Sequence, residues 1–372
     1  MDCPVASPYN FFSMKLFALN LGFLMTILIS TVFSSVLSSV GFAAKKVLLK
    51  TPIAFQSNLP GLGTTIKYAS DTIAEATDGR IRLKLYEPGK LVPPLEILDA
   101  VSTGKVQAGY SVSGYWSGKI PAAALFSALP FGPEAPEYLA WFMKGNGMKL
   151  YQEMYDQAGF NVKVLLCGMM AAETSGWFIK PVKKASDIKG LKIRFFGLGG
   201  DVLKELGAST TLLAGGEIYP ALEKGAIDAT EYSMPAIDEK LGFYKVAKYN
   251  YFPGWHQQGT AYELLINKKK WNSLSKGDQK LLEMACNDAT LHSMAEGEYM
   301  QFGAMSRMQK KGVKLKKWSP EMLKVFKDAW MRVAKKHSKK DAFFKKVYDD
   351  LAAFRKDYEL WKSHAFLPRE SN

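Results

Sequence analysis

Glu96-Ile97-Leu98-Asp99-Ala100-Val101-Ser102-Thr103-Gly104-Lys105-Val106-Gln107-Ala108 and, 121 residues further on, Glu217-Ile218-Tyr219-Pro220-Ala221-Leu222-Glu223-Lys224-Gly225-Ala226-Ile227-Asp228-Ala229 are two copies of one pattern. In each copy the apolar residues fall at i, i+3 and i+4, a glycine stands where a helix would end, and a short apolar strand follows. The spacing is that of a domain, far longer than a solenoid period. It points to two similar α/β lobes joined by crossing strands, a hinge with a cleft that can close on a small molecule.

The segments around the repeats extend this reading. Val47–Thr51 reads as a strand, Thr64–Thr77 as a helix, Ile81–Tyr86 as an alternating strand and Ala108–Val112 as a third strand. This β-α-β-α-β order belongs to a largely parallel sheet with ligand-facing loops at its strand ends. Val162–Leu166 leaves the first lobe; Leu191–Arg194, a helix from about Asp201, Thr210–Leu213 and Ala229–Tyr232 build the second, and Tyr262–Asn267 is a return strand. From Ser275 the pattern is helical, with a long helix to about Lys311, a short strand at Gly312–Lys317, a helix at Pro320–Ser338 and a last helix from about Asp341 to Lys362. The expected fold class is therefore α/β, two-lobed, with a hinge, a central cleft and long C-terminal helices.

The first residues differ in kind. After Met14-Lys15 an uncharged apolar run extends from Leu16 to Val40 and ends in Gly41-Phe42-Ala43-Ala44 and Lys45-Lys46. A basic start, an apolar run and small residues at Gly41 and Ala43 describe an export signal cleaved after Ala43. The run is also long enough for an uncleaved anchor. The expected divisions are a signal peptide at 1–43, a first lobe at 44–168, a second lobe at 169–258, a return at about 259–318 to the first lobe or the hinge, and C-terminal helices at 319–372. The expected location of the mature chain is the periplasm.

With 48% hydrophobic residues the 372-residue chain can bury one large core or two ordinary ones. Its net charge of +14 is concentrated in late lysine pairs such as Lys310-Lys311, Lys335-Lys336 and Lys345-Lys346, on helices whose other faces are apolar. That placement reads as a solvated face, so no nucleic-acid partner is expected. Cys167 ends an apolar strand and Cys286 lies within a helix; buried thiols are the first expectation, with a bridge as the alternative that the sequence does not decide. The last helix carries Phe343, Phe344, Val347, Tyr348, Leu351, Phe354, Tyr358 and Trp361 mostly along one face. Such a stripe packs on its own chain or on a second copy, so a homodimer through this helix is one expectation.

Catalytic signatures are scarce. The four histidines show no His-Glu-x-x-His spacing, and there is no Gly-x-Ser-x-Gly elbow and no Gly-x-x-x-x-Gly-Lys phosphate loop. Gly197-Leu198-Gly199-Gly200 follows a strand but lacks the dinucleotide fingerprint, and reads as a tight turn. This favours a binding protein over an enzyme. Four polar clusters fall where cleft loops belong: Glu173-Thr174-Ser175, Arg194-Phe195-Phe196, Glu231-Tyr232-Ser233 and Gly254-Trp255-His256-Gln257-Gln258. An arginine at a strand end among aromatics suits capture of a carboxylate, although pairing with a neighbouring acid would explain it as well.

Several of these stretches resemble one family. Leu191-Lys192-Ile193-Arg194, the whole run from Gly215 to Glu231, Leu241-Gly242-Phe243-Tyr244 and Tyr251-Phe252-Pro253-Gly254-Trp255-His256 are similar to the DctP-type solute-binding proteins of tripartite ATP-independent periplasmic (TRAP) transporters, as are Leu59-Pro60-Gly61-Leu62-Gly63 and Gly118-Lys119-Ile120-Pro121. Within that family the chain most resembles the branch that binds 2-oxo or 2-hydroxy monocarboxylates with a metal cation. The resemblance implies that Arg194 pairs with the substrate carboxylate, beside Phe196, and that Asn58, Tyr115 and Trp116 face it from the first lobe. It implies cation ligands at Glu173, Glu231, Gln257 and, through its carbonyl, Tyr232. Glu173 and Gln257 stand where the branch has Gln and Glu, a swap that keeps the carboxylate count and suits Ca²⁺ or Na⁺. The implied partners are a small organic acid and the TRAP membrane permease. Three rivals stay open at this point: a metal-free C4-dicarboxylate or sugar-acid binder, an exported enzyme, and a sensory module.

Overall fold

The computed structural model describes residues 45–367, so the expected export segment lies outside the described residues. In chain order the elements are β1 (Val47–Pro52), α1 (Gly63–Glu75), β2 (Ile81–Tyr86), α2 (Ile97–Ser102), β3 (Ala108–Ser111), α3 (Ala135–Met143), α4 (Gly147–Gln157), β4 (Val162–Met170), β5 (Gly176–Phe178), β6 (Lys192–Arg194), α5 (Gly197–Glu205), β7 (Ser209–Thr211), α6 (Gly215–Glu223), β8 (Ala229–Thr230), α7 (Pro235–Leu241), β9 (Tyr249–Phe252), β10 (Thr260–Asn267), α8 (Lys268–Asn272), α9 (Lys276–Lys310), β11 (Lys314–Lys317), α10 (Pro320–Lys340) and α11 (Ala342–Ala365).

Among the described residues these strands make three sheets, β1–β2 and β3–β10–β4 in the first lobe and a six-stranded sheet in the second, and the two lobes share one pairing scheme. In the first lobe, β1 runs parallel to β2, an isolated parallel bridge from Ile53 to Tyr110 ties β1 to β3, and β10 lies antiparallel between β3 and β4. In the second, β6 runs parallel to both β7 and β8, and β5 lies antiparallel between β8 and β9. Each repeated segment supplies the same part: α2 leads to β3 and α6 leads to β8. Gly104 and Gly225 end those helices at φ +78° and +68°, a left-handed turn that a Cβ would strain. The sequence repeat is thus a repeat of sheet position.

The chain passes between the lobes three times: between β4 and β5, between β9 and β10, and along the 35-residue α9. β10 lies in the first lobe, while β11 pairs in parallel with β9 and so extends the sheet of the second, where the sequence placed residues up to about 318 with the first lobe or hinge. The reason is α9, which carries the chain across. From Asp278 to Glu296 it is bonded to the first lobe, through Arg80 to Asp278, Tyr68 to Asp288, Gly61 N–H and Thr64 to Glu296, and Ser293 to Met169. From Gln301 onward it is bonded to α7, through Gln301 to the Ala236 N–H and Arg307 to Glu239.

Cys167 and Cys286 are joined as a disulfide, not left as two thiols, which corrects the sequence reading. They lie on β4 and α9, elements that pack tightly against each other. That packing is a tertiary fact invisible to spacing. The Gly197–Gly200 stretch is the first turn of α5 rather than a separate turn. A Cβ on Gly199 would come within 2.5 Å of the Phe195 ring and 2.8 Å of His256 Cβ, so the glycine serves close packing. The aromatic stripe of α11 divides. Phe344, Val347 and Leu351 are buried against the chain's own helices and Asp350 accepts from Trp141 Nε1, while Leu360 and Trp361 are 74% and 61% exposed.

Candidate functional site

The site forms where two of the crossings meet. Glu173 lies in the β4–β5 crossing and Gln257 in the β9–β10 crossing, and the Glu173 N–H donates to the Gln257 carbonyl. A Cβ at Gly254 would sit 2.2 Å from the Glu173 carbonyl oxygen, so only glycine lets the two segments approach this closely. Arg194 ends β6, and Glu231 follows β8, its strand neighbour. The short β8 therefore delivers the acid beside the arginine.

Arg194 is 1% exposed and already well occupied. Its Nη1 donates to Glu231 Oε2 at 3.0 Å and to the Glu231 carbonyl at 2.5 Å, and its Nε donates to the Leu213 carbonyl at 3.2 Å. The guanidinium lies over the Tyr232 ring at 5.2 Å. Of the five guanidinium N–H donors, the two on Nη2 are left for other partners. Glu231 Oε2 also accepts from the Phe196 N–H at 2.9 Å. Across the site Glu173 Oε1 accepts from Thr260 Oγ1 at 3.0 Å, and Thr260 Oγ1 in turn accepts from Gln257 Nε2 at 3.0 Å.

What remains is a set of idle atoms. Glu173 Oε2, Glu231 Oε1, Gln257 Oε1 and both ring nitrogens of His256 are buried with no hydrogen-bond partner among the described residues. One ligand atom from each of Glu173, Glu231 and His256 lies within 4.8 Å of the others. Buried polar atoms cost free energy unless paired; Arg194 compensates Glu231, whereas the Glu173 carboxyl has no ion-pair partner among the described residues. Burial, reinforced by the nearby Glu231, drives the Glu173 carboxyl well above its ordinary range. Glu231 is buried as deeply, but Arg194, His256 and the Phe196 N–H outweigh that burial and hold its carboxyl below the usual value. Behind them Asp238, pushed up to about 8 by burial, accepts from Trp177 Nε1 at 2.7 Å.

Two cavities open on this arrangement. The inner one, of about 20 Å³, is lined by Arg194, Phe196, Tyr232, Ser233 and Gln257 from the second-lobe side and by Phe55, Tyr115 and Tyr262 from the first. The outer one, of about 470 Å³, is lined by Asn58, Glu87, Lys90 and Tyr232 among others. Arg194, Phe196, Tyr115, Tyr232 and Gln257 thus come together, with Glu173 and Glu231 against them. Asn58 is placed at the outer cavity, where its carbonyl accepts from Lys240 of the opposite lobe at 2.7 Å. Trp116 turns away, its Nε1 donating to Glu263 at 2.8 Å inside the first lobe. Sequence reasoning gave His256 no role, although it stands inside one of the polar clusters.

Residues 56–341 match the family described as bacterial extracellular solute-binding protein, family 7, or DctP. The chain belongs to this family. A monocarboxylate 2-oxoacid-binding periplasmic protein of Nostoc sp. is 39% identical over 302 residues, covering 81% of this chain and 82% of the relative. Among solved structures, a TRAP transporter solute-binding protein from Bordetella bronchiseptica, a mixed-occupancy dimer with copurified calcium and picolinate in one active site, superposes with a TM-score of 0.84 at 30% identity over 86% of this chain and 95% of that one. A second, from Pseudoalteromonas atlantica with bound sodium and pyruvate, has a TM-score of 0.82 at 31% identity over 86% and 97%. A third, from Colwellia psychrerythraea with bound calcium and pyruvate, has the same TM-score and identity over 86% and 98%. This family 7 chain thus has the two-lobed fold of periplasmic TRAP binding proteins, and its family serves transport.

Proposed function

We propose that the chain is an exported TRAP binding protein that captures a small 2-oxo or 2-hydroxy monocarboxylate together with a cation and presents it to a membrane permease, acting by binding and not by turnover. The observation that carries this reading is the cluster of idle buried oxygens beside Arg194. Glu173 Oε2, Glu231 Oε1 and Gln257 Oε1 are acceptors with nothing to accept from, the donor set of a hard cation such as Ca²⁺ or Na⁺. The Tyr232 carbonyl, which also accepts no hydrogen bond among the described residues, would be a fourth ligand. The cation, when bound, neutralises the two carboxylates and supplies a positive centre for an acid's oxygens.

The chain's own part follows from the donors left over. Arg194 presents Nη2 to the ligand carboxylate while its other nitrogens stay on Glu231 and Leu213. Phe55, Tyr115, Phe196 and Tyr262 wall off water, and in a dry site each charge interaction is stronger. The inner cavity has room for little more than a water or two, so a compact acid fits with least opening. The names of the Nostoc relative and the two pyruvate-bound structures support the same ligand class. The exposed Leu360 and Trp361 on α11 support a second element of the reading, a homodimer formed through the outer half of that helix.

Calorimetry on chelator-treated protein tests the ligand and the cation together. Pyruvate and lactate are expected to bind when Ca²⁺ or Na⁺ is present and to lose at least tenfold in affinity without either, while succinate and galacturonate bind weakly in both conditions. Tight binding of succinate or a sugar acid in metal-free buffer would overturn the reading.

A further inference from the structure

We propose that the cation site includes His256 and therefore takes a first-row divalent ion such as Mn²⁺, Co²⁺ or Zn²⁺ as well as, and more tightly than, Ca²⁺. The inference rests on the proposed cation site and concerns which ions it selects. His256 is 1% exposed, and neither of its ring nitrogens has a hydrogen-bond partner among the described residues. A buried imidazole normally gives one N–H to an acceptor and takes one bond at the other nitrogen. Here Nε2 faces Glu231 Oε1 at 3.7 Å, too long for a hydrogen bond and with both atoms otherwise idle. Atoms that share an ion at about 2.1 Å lie roughly 3–4 Å apart. The gap between the imidazole and the carboxylate is the size of an ion.

The imidazole is held in this attitude by its neighbours. Phe195 meets it edge to face at 4.7 Å between ring centroids, and Trp255 packs on it at 5.6 Å. Gly199 lies against its Cβ, leaving no room for retreat toward α5. The three side chains that gather here supply one nitrogen and two carboxylates. Oxygen-only sets suit Ca²⁺ and Na⁺, whereas an imidazole added to carboxylates raises affinity for first-row divalent ions, which bind nitrogen more strongly. Gln257 Oε1 and the acid's own oxygens would complete the shell. The chemistry of the donors, rather than the size of the cavity, sets this preference.

The test uses full-length mature protein stripped with chelator and loaded with Mn²⁺ or Ca²⁺ alone, each with and without pyruvate. Pulsed EPR of the Mn²⁺ form is expected to show nitrogen modulation from a directly bound imidazole, and His256→Gln is expected to abolish it. In calorimetry the ratio of Mn²⁺ to Ca²⁺ affinity should fall at least tenfold in His256→Gln, with His256→Asn as a second variant should the first fail to fold. Failure to bind Mn²⁺, absence of nitrogen modulation in the parent, or an unchanged affinity ratio would each overturn the assignment of His256. If Ca²⁺-dependent pyruvate binding persists in that case, the proposed function stands without it. If pyruvate binds with neither ion, the proposed function itself fails.

Discussion

Replacing Arg194 by lysine keeps the charge and removes the geometry, and the structure allows the loss to be worked out. In the parent, the guanidinium serves Leu213 O through Nε, serves Glu231 O and Oε2 through Nη1, and leaves two N–H groups on Nη2 for a ligand carboxylate. An ammonium has three donors on one atom. It cannot reach acceptors on opposite sides of a planar fork, and three protein acceptors plus a ligand exceed its capacity. At least one buried acceptor is left unpaired, at about 1–3 kcal/mol each. Where the unpaired acceptor is the ligand, each 1.4 kcal/mol is tenfold in Kd, so affinity should fall by roughly 5-fold to 150-fold.

Calorimetry with pyruvate and Ca²⁺ gives the binding change, and a thermal melt without ligand gives the share borne by the fold. Glu231 keeps its Phe196 N–H and a nearby cation, so the variant should still fold, with a midpoint lowered by a few degrees. Affinity within about twofold of the parent, with a normal melt, would refute the role given to Arg194. A collapsed melt would call instead for Arg194→Gln, which keeps a planar donor without the charge.

Two further predictions concern the buried Glu263 of β10 and the exposed end of α11. Burial pushes Glu263 from 4.5 up to about 7, opposed by hydrogen bonds from Tyr151, Trp116 and Tyr155. Between those pH values the native chain holds a proton that the unfolded chain has released, so stability falls as pH rises, by up to about 1.4 kcal/mol per pH unit, and levels off above the upper value. Glu263→Gln removes that fall, and because Glu173 and Asp238 slope the same way, the readout is the difference between variant and parent denaturation midpoints from acid to neutral pH; parallel curves would refute it. On α11, the double variant Leu360→Glu with Trp361→Glu should convert a dimer to a monomer by light scattering without loss of ligand binding, and a parent that is already monomeric at micromolar concentration ends the dimer reading.

Much of the fold is legible in the repeat, and the reason is physical. A helix that buries one face, a left-handed glycine and an apolar strand form a local unit whose pattern survives in sequence, and here it marks β3 and β8 as equivalent strands of two like lobes. Arg194 and Glu231 are legible because each ends or follows a strand, where side chains reach the cleft. Other features depend on what packs against what. Trp116 follows Tyr115 directly, yet one lines the inner cavity and the other turns to Glu263, a choice fixed by the polar partner buried in β10. The disulfide depends on β4 meeting α9. His256 stood in view within Gly254-Trp255-His256-Gln257, but a lone histidine carries no spacing pattern, and only the idle state of its two nitrogens marks it.

The two sides of the inner cavity differ in kind, and that difference orders the proposed capture. The second-lobe side supplies Arg194, Glu231, Tyr232 and Ser233, together with Glu173 and Gln257 from the crossings; the first-lobe side supplies Phe55, Leu62, Val112, Tyr115 and Tyr262, with Thr260 at the start of β10 donating to Glu173. An acid meeting the second lobe alone finds its charged partners in water, where a contact at 4 Å is worth about 1 kcal/mol. When the first lobe closes over it, the same contacts act in a drier medium and become several times stronger. The apolar wall thus raises affinity without touching the ligand's charge. Lys240 reaching across to the Asn58 carbonyl, and α9 bonded to the first lobe up to Glu296 and to the second from Gln301, give that closure fixed points on the cleft's rim and along its back. On this reading Tyr115 and Tyr262 govern how long the acid stays, whereas Arg194 and the cation ligands govern which acid is held.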